Sequence, residues 1–415
     1  MIKVLATSWP LLLGVMLLMV GNGVQSSLLG IRGAIEGFST FELSIVMSAY
    51  YLGFLGGSRL APEMIRRVGH VRVFAALGSL ISAVLVLYPL LIDITAWSVM
   101  RVIIGFSFSV IYVTAESWLN NTATNETRGQ ALSAYMIVQM LGIIAAQALL
   151  SAGDPTGYGL FIIPSVLVSL AFMPILLADI PAPTFDQIRP MSFRKLFAIS
   201  PLGCVGMLLT GGVYSAMFGM SSVWGAQIGL SIGQIAAFVA ALYIGGLVLQ
   251  YPIGWISDQF DRRVLVLWMS AVGTVIMLIA TVFPLPFNVI LAVALLLGGT
   301  INPLYSLLIA HTNDFLGQED MAAASAGLIF LNGFGAIFGP LITGWLMGMV
   351  GPAGFFLFIG LLFAALAVYA GWRMARRTTP DGSSGYTGVT PTVSSLAMGA
   401  VMDSDPRNSR DKTAH

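Results

Sequence analysis

Gly37-Phe38-Ser39, with Tyr51 and Gly53 after it, returns 192 residues later as Gly229-Leu230-Ser231, with Tyr243 and Gly245 after it. Ser133-Ala134 returns at the same offset as Ser325-Ala326. One coincidence carries little, but three in register, each at the same place in its half, read as one six-helix unit written twice. Internal repeats of this length are expected of membrane transporters, with the substrate site where the two halves meet.

Composition sets the solvent of the chain. With 57% hydrophobic and only 9% charged residues, and a mean hydropathy of +0.90, the apolar surface is too large for a soluble core and must face lipid. A hydrocarbon layer of about 30 Å needs about 20 apolar residues per helix, and runs of that kind lie near 8–31, 41–61, 73–92, 95–119, 130–152 and 158–178, then near 201–222, 232–256, 264–283, 287–311, 322–349 and 352–374. The expectation is an all-α integral membrane protein with twelve transmembrane helices in two pseudo-symmetric six-helix bundles. Residues 1–178 and 201–377 are the bundles, 179–200 a Pro-containing cytoplasmic linker, and 378–415 a Gly/Ser/Thr/Pro-rich tail with no apolar period, expected to be disordered.

Basic residues orient the chain, because cytoplasmic loops keep them. Lys3, Arg66, Arg67, Arg72, Arg128, Arg189, Arg194, Lys195, Arg262, Arg263, Arg373, Arg376 and Arg377 fall on one side and only Arg32 on the other, so both termini are expected in the cytoplasm, with the protein in the inner membrane. A net charge of +1, spread over loops, excludes a nucleic-acid partner. The first apolar run is a full span and not a cleavable leader. Cys204 stands alone in an apolar run and supports no disulfide or metal site. The Asn120-Asn121-Thr122 and Asn125-Glu126-Thr127 sequons fall on the cytoplasmic side and are chance matches.

After the eighth run stands Gly254-Trp255-Ile256-Ser257-Asp258-Gln259-Phe260-Asp261-Arg262-Arg263. A Gly, an Asp four residues on and then a basic pair resemble the loop signature of the major facilitator superfamily. The resemblance implies a cytoplasmic latch in which Asp258 faces the start of a helix, Gly254 allows close helix approach, and Arg262 and Arg263 hold the loop at the anionic leaflet. The first-half loop, Pro62 to His70, keeps Gly69 and Arg66-Arg67 but has no Asp, so the two gates are expected to be unequal. Arg101 with Gly105 resembles the superfamily's Arg-containing motif in the fourth helix, and Gly335 to Pro340 its eleventh-helix hinge. The fifth helix offers Gln139, Gly142 and Gln147 in place of the Gly-Pro hinge of drug/proton antiporters.

In that fold the first, fourth, seventh and tenth helices line a central cavity. A polar side chain facing lipid without a partner costs several kcal/mol, so Asn22, Gln25, Tyr112, Tyr214, Asn302 and Tyr305 are expected to point inward, with Gln139, Asn332, Tyr51 and Tyr243 completing the lining. For any one of them an ordinary interhelical hydrogen bond, about 0.6 kcal/mol, explains the residue as well. No charge falls near mid-helix, which favours a neutral, polar or aromatic solute. Glu116 is the carboxylate within a span and the candidate for proton coupling; the alternative is a structural pair with Arg59 or Arg128.

The expected function is secondary transport by alternating access. Uptake is favoured, and riboflavin is the candidate suggested by a loose likeness to riboflavin importers. The alternative is a proton-coupled exporter of drugs or metabolites. No Gly-x-x-x-x-Gly-Lys-[Ser/Thr] phosphate loop supports ATP-driven transport, and His70, His311 and His415 lie at helix ends or in the tail, so no enzyme site, metal or cofactor is expected. The partners are a small solute, the bilayer and protons, and the chain is expected to work as a monomer.

Overall fold

A computed structural model describes residues 2–122, 127–177 and 191–376. The tail, Arg377, Asn125, Arg189 and most of the linker lie outside the described residues, as do the side chains of Lys3, Asn120, Asn121 and Arg128. Among the described residues every element is helical: α1 Ile2–Ile35, α2 Thr40–Val68, α3 His70–Leu87, α4 Ile94–Thr122, α5 Arg128–Ala152, α6 Gly159–Ala171, α7 Met173–Leu177, α8 Phe193–Ile199, α9 Pro201–Gln227, α10 Ile232–Ser257, α11 Arg262–Val282, α12 Phe287–Asn313, α13 Gln318–Val350 and α14 Ala353–Met374.

The twelve expected spans are present, the sixth broken into α6 and α7. Pro174, second in α7, lacks the N–H that would continue the helix across Phe172. The short α8 lies inside the expected linker; Ser192 caps its start through Lys195 N. Eleven spans among the described residues are long and apolar enough to cross a bilayer on length and composition. The exception is α2, whose apolar run is broken by Ser44, Ser48, Tyr50 and Tyr51, side chains that meet the other half or the central cavity.

The sequence repeat is a structural one. Gly37 and Gly229 turn the chain with φ of +83° and +76°, a region that costs L side chains strain. Two residues on, Ser39 and Ser231 each open a helix with a reciprocal capping box, to Glu42 and Gln234 respectively. Gly53 of α2 and Gly105 of α4 sit where these helices cross, and a Cβ on either would overlap a backbone carbonyl, of Val102 or Tyr50. Gly245 of α10 and Gly298 of α12 repeat the crossing against Leu295 and Leu242.

The halves join through α2 with α13, α5 with α10, and α1 with α9, while α4 and α12 make no comparable packing. Away from the face where α1 begins and α14 ends, called here the terminal face, the seam is tight. Gly30 lies on Ser222, Gly344 on Ser44 and the Thr40 carbonyl, and Ser48 Oγ donates to the Ile337 carbonyl. Large apolar residues such as Trp268, Val275 and Val368 stay exposed on outer helices, as a lipid-facing surface requires.

Candidate functional site

A cavity of about 470 Å³ lies between the halves. Its walls come from α1, α2, α4 and α5 on one side and α9, α10 and α13 on the other, and Met191, Ser192 and Phe193 reach it at the terminal face. One face of α2 runs along it through Tyr51, Leu55, Ser58 and Pro62, spaced three to four residues apart, so that they share a helical stripe.

The lining is aromatic from both halves. Tyr50 stands edge-on to Tyr51 with centroids 5.4 Å apart, and Phe54 lies 6.0 Å from Tyr112. Opposite, Phe218 is 4.4 Å from Tyr214 and 4.4 Å from Tyr243. Such clusters leave ring faces available to a planar guest.

Amides are set among the rings. Asn22 Nδ2 donates to the Tyr112 hydroxyl at 3.3 Å, and Tyr112 in turn lies 3.4 Å from Met19 Sδ. Asn22 Oδ1 is buried with no partner. Asn332 Nδ2 donates to the Met207 carbonyl at 3.1 Å, and Ser27 Oγ to Gln147 Oε1 at 3.1 Å. Asn22, Tyr112, Gln139, Tyr214, Tyr243 and Asn332 all line the cavity, and so does Tyr51.

Three expected lining residues are elsewhere. Gln25 is buried behind the wall, where its Oε1 accepts from Arg101 Nη1 at 3.0 Å. Asn302 folds back on its own helix, donating to the Gly298 carbonyl at 3.0 Å and packing on Gly246 of α10. Tyr305 is 1% exposed within the packed part of α12. The tenth span therefore contributes nothing to this lining, and α2, α5, α10 and α13 supply much of it.

The charge-free lining expected from sequence is corrected. Arg101 and Arg59 both border the cavity. Arg101 is 2% exposed with its guanidinium 4.7 Å from the Tyr50 ring centre. Arg59 lies near the terminal face, 4.6 Å over Phe330 of the other half, and Phe330 in turn meets Phe193 at 5.3 Å. Glu116 is fully buried outside the lining, beside the Tyr135 hydroxyl of α5 and within electrostatic range of Tyr305. Tyr50, Phe54, Phe218 and Phe330 were not among the expected residues; the Tyr50-Tyr51 tandem, polar rings in an otherwise apolar run, was the available signal.

The signature loop binds three helices of one half at the terminal face. Asp258 C-caps α10 and lies 3.8 Å from Arg262, the first residue of α11. Arg262 reaches Asp314, which ends α12, at 2.5 Å and also donates to the Ala310 carbonyl. Arg263 pairs with Asp261 at 2.8 Å. Burial works to raise the Asp261 pKa, but hydrogen bonds from the Arg263 side chain and backbone N–H outweigh it and hold the carboxyl below its usual range. Gly254 is buried and its carbonyl accepts from Ser257. In the first half Glu63 bonds Arg66 and Arg67 within the last turns of α2.

The family model described as Major Facilitator Superfamily matches residues 202–402. Solved structures share the arrangement: nucleoside transporter NupG superposes with a TM-score of 0.72 at 15% identity, covering 89% of this chain and 99% of that one. The chain has the all-helical fold of these solved transporters. A bacterial homolog of the human lysosomal transporter Spinster, inward-facing and occupied, gives 0.69 at 13% identity over 89% of this chain and 95% of its own. A D-xylose-proton symporter gives 0.68 at 15% identity, over 88% and 96%. In sequence, the uncharacterized MFS-type transporter YcaD of Escherichia fergusonii is 26% identical over 339 residues, 81% of this chain and 88% of that protein. YcaD of Escherichia coli O45:K1 is 26% identical over 340 residues, with the same coverage. The cavity lies on the seam between the two halves.

Proposed function

We propose that this chain carries a small, polar, ring-bearing solute across the inner membrane by alternating access, as a monomer with both termini in the cytoplasm, and that it works in uptake. The observation that carries the reading is the enclosed space between two aromatic clusters, Tyr50, Phe54 and Tyr112 from one half and Tyr214, Phe218 and Tyr243 from the other, sealed at one face and reaching toward the other. With the Lys/Arg-rich side cytoplasmic, the cavity faces inward.

Asn22, Gln139 and Asn332 supply amides that bond ring carbonyls and hydroxyls, and the rings supply stacking surface. The panel of solutes therefore includes riboflavin, aromatic acids and nucleosides, the last prompted by the nucleoside transporter among the solved neighbours. Glu116 is the proposed proton carrier, and the Asp258, Arg262 and Arg263 loop is proposed to steady the gate at the terminal face.

The test is uptake of labelled ring-bearing vitamins, nucleosides and aromatic acids by bacteria lacking their own importers, with and without this chain. Accumulation of one of them, lost in Tyr214→Ala and Phe218→Ala at equal membrane abundance, is the expected result. Loss of preloaded solute in place of uptake makes the protein an exporter.

A further inference from the structure

We infer that the substrate carries a carboxylate and that Arg101 is the residue that holds it. The inference rests on the cavity being the transport site and adds the charge of its occupant.

Arg101 lies seven residues into α4, roughly 10 Å along the helix, and is 2% exposed. A long basic side chain at a helix end commonly extends its head to water. This one does not: its guanidinium is enclosed by Gln25, Met47 and Tyr50. Nη1 donates to Gln25 Oε1 at 3.0 Å, Nη2 lies 3.6 Å from Met47 Sδ, and the carbon centre is 4.7 Å from the Tyr50 ring centre. An amide oxygen, a thioether and a ring face carry no net charge, and Nε has no partner. Arg101 takes part in none of the ion pairs among the described residues.

A guanidinium cannot shed its proton to escape burial. Neutral dipoles return only part of the desolvation cost of a buried ion, so the place is electrostatically incomplete. The cavity does not complete it: no Asp or Glu borders the space, and its other charge, Arg59, is also positive. A pocket with low-dielectric walls and charges of one sign concentrates ions of the other. Gln25 occupies Nη1, while Nε and Nη2, the edge of the fork that pairs with two carboxylate oxygens at once, meet no oxygen. Tyr50 stands beside this end of the lining, so an acid group on Arg101 brings an attached ring against Tyr50. The competing account is a structural cation, fully served by Gln25 and Tyr50.

Matched pairs of ligands separate the two. Purified wild-type protein in lipid nanodiscs is titrated with planar aromatic monocarboxylates and with their primary amides, read by thermal shift and by radioligand binding. Acids are expected to bind more tightly than their amides by roughly tenfold or more, the scale of a charge-assisted hydrogen bond. Arg101→Gln is expected to abolish the difference and Arg101→Lys to restore part of it. Equal binding of acid and amide by wild type, no binding of any acid, or an acid preference that survives Arg101→Gln overturns the anchor, and the first needs no variant to fold. Tyr214→Ala reports on the cavity itself: binding that ignores this change overturns the site, whereas loss of both acid and amide binding there, with no acid preference in wild type, leaves the site standing and removes only the anchor.

Discussion

Arg262, the first residue of α11, holds Asp314, the residue that closes α12, at 2.5 Å, with both side chains at least nine-tenths buried. Asp258, the acid of the signature, is farther from the same guanidinium, at 3.8 Å, and 31% exposed. The loop's cohesion in this state therefore lies more with Asp314 than with Asp258. Removing one partner of a buried pair strands the other charge, at a cost of about 3–5 kcal/mol, whereas a partly exposed long pair contributes about 0–1 kcal/mol. Asp314→Asn is expected to lower the melting temperature of the purified protein clearly more than Asp258→Asn. Equal losses, or a larger one for Asp258→Asn, would refute this ranking.

The two helix crossings at Gly53 and Gly245 make a paired prediction. A methyl group at either position meets a backbone carbonyl oxygen, which cannot move aside as a flexible side chain can. Overpacking of this kind costs about 1–3 kcal/mol or more. Gly53→Ala and Gly245→Ala should each cut the yield of monodisperse protein in size-exclusion chromatography. Gly56→Ala, three residues along α2 with open space around its Cβ position, should leave it unchanged. Normal yield from both crossing variants would mean that the helices do not approach as closely as described.

Access to the cavity has a sided test. Ser58 borders it toward the terminal face, and Ser222 is 2% exposed where the halves are sealed against Gly30. With the buried Cys204 replaced by Ala, Ser58→Cys should react with a membrane-impermeant maleimide applied from the terminal-face side and Ser222→Cys should resist it from either side. Adding substrate should slow the reaction at Ser58→Cys by filling the cavity. The reverse labelling pattern would place the opening at the other face.

The helices were legible because span length and apolarity are written along the chain, and the Gly-x-Ser repeat was legible because it marks a turn and a cap that each half needs at the same point. Rotation of a helix about its axis was not. In α12 the stretch from Leu297 to Asn313 is buried on every side, so no polar stripe distinguished the direction of Asn302 or Tyr305 from that of their neighbours. The stripe on α2 is visible in the sequence through Tyr51, Ser58 and Pro62, but the expectation that the first, fourth, seventh and tenth helices line the site points to α12 instead. Arg101 stands early in the fourth apolar run, and its enclosure by Gln25 and Tyr50 depends on tertiary packing that no single segment records. The short α8 has too few residues for an apolar period to show.

Glu116 supplies the last prediction. It is fully buried yet outside the cavity lining, beside Tyr135 of α5, and its surroundings reach Tyr305 of the opposite half. An ionisable group in a span is kept for proton or ion movement or for a fixed pair. Arg59, one of the two arginines considered as its structural partner, instead lies over Phe330. Gln has nearly the same shape and cannot ionise, so Glu116→Gln should preserve exchange of labelled for unlabelled substrate in proteoliposomes, which needs only the rocking of the halves. It should abolish accumulation driven by a pH gradient: a gradient of about one unit sustains roughly tenfold accumulation through one coupled proton, and the variant should only equilibrate. Accumulation that survives in Glu116→Gln would assign the carboxylate to packing against Tyr135 and remove it as the proton carrier.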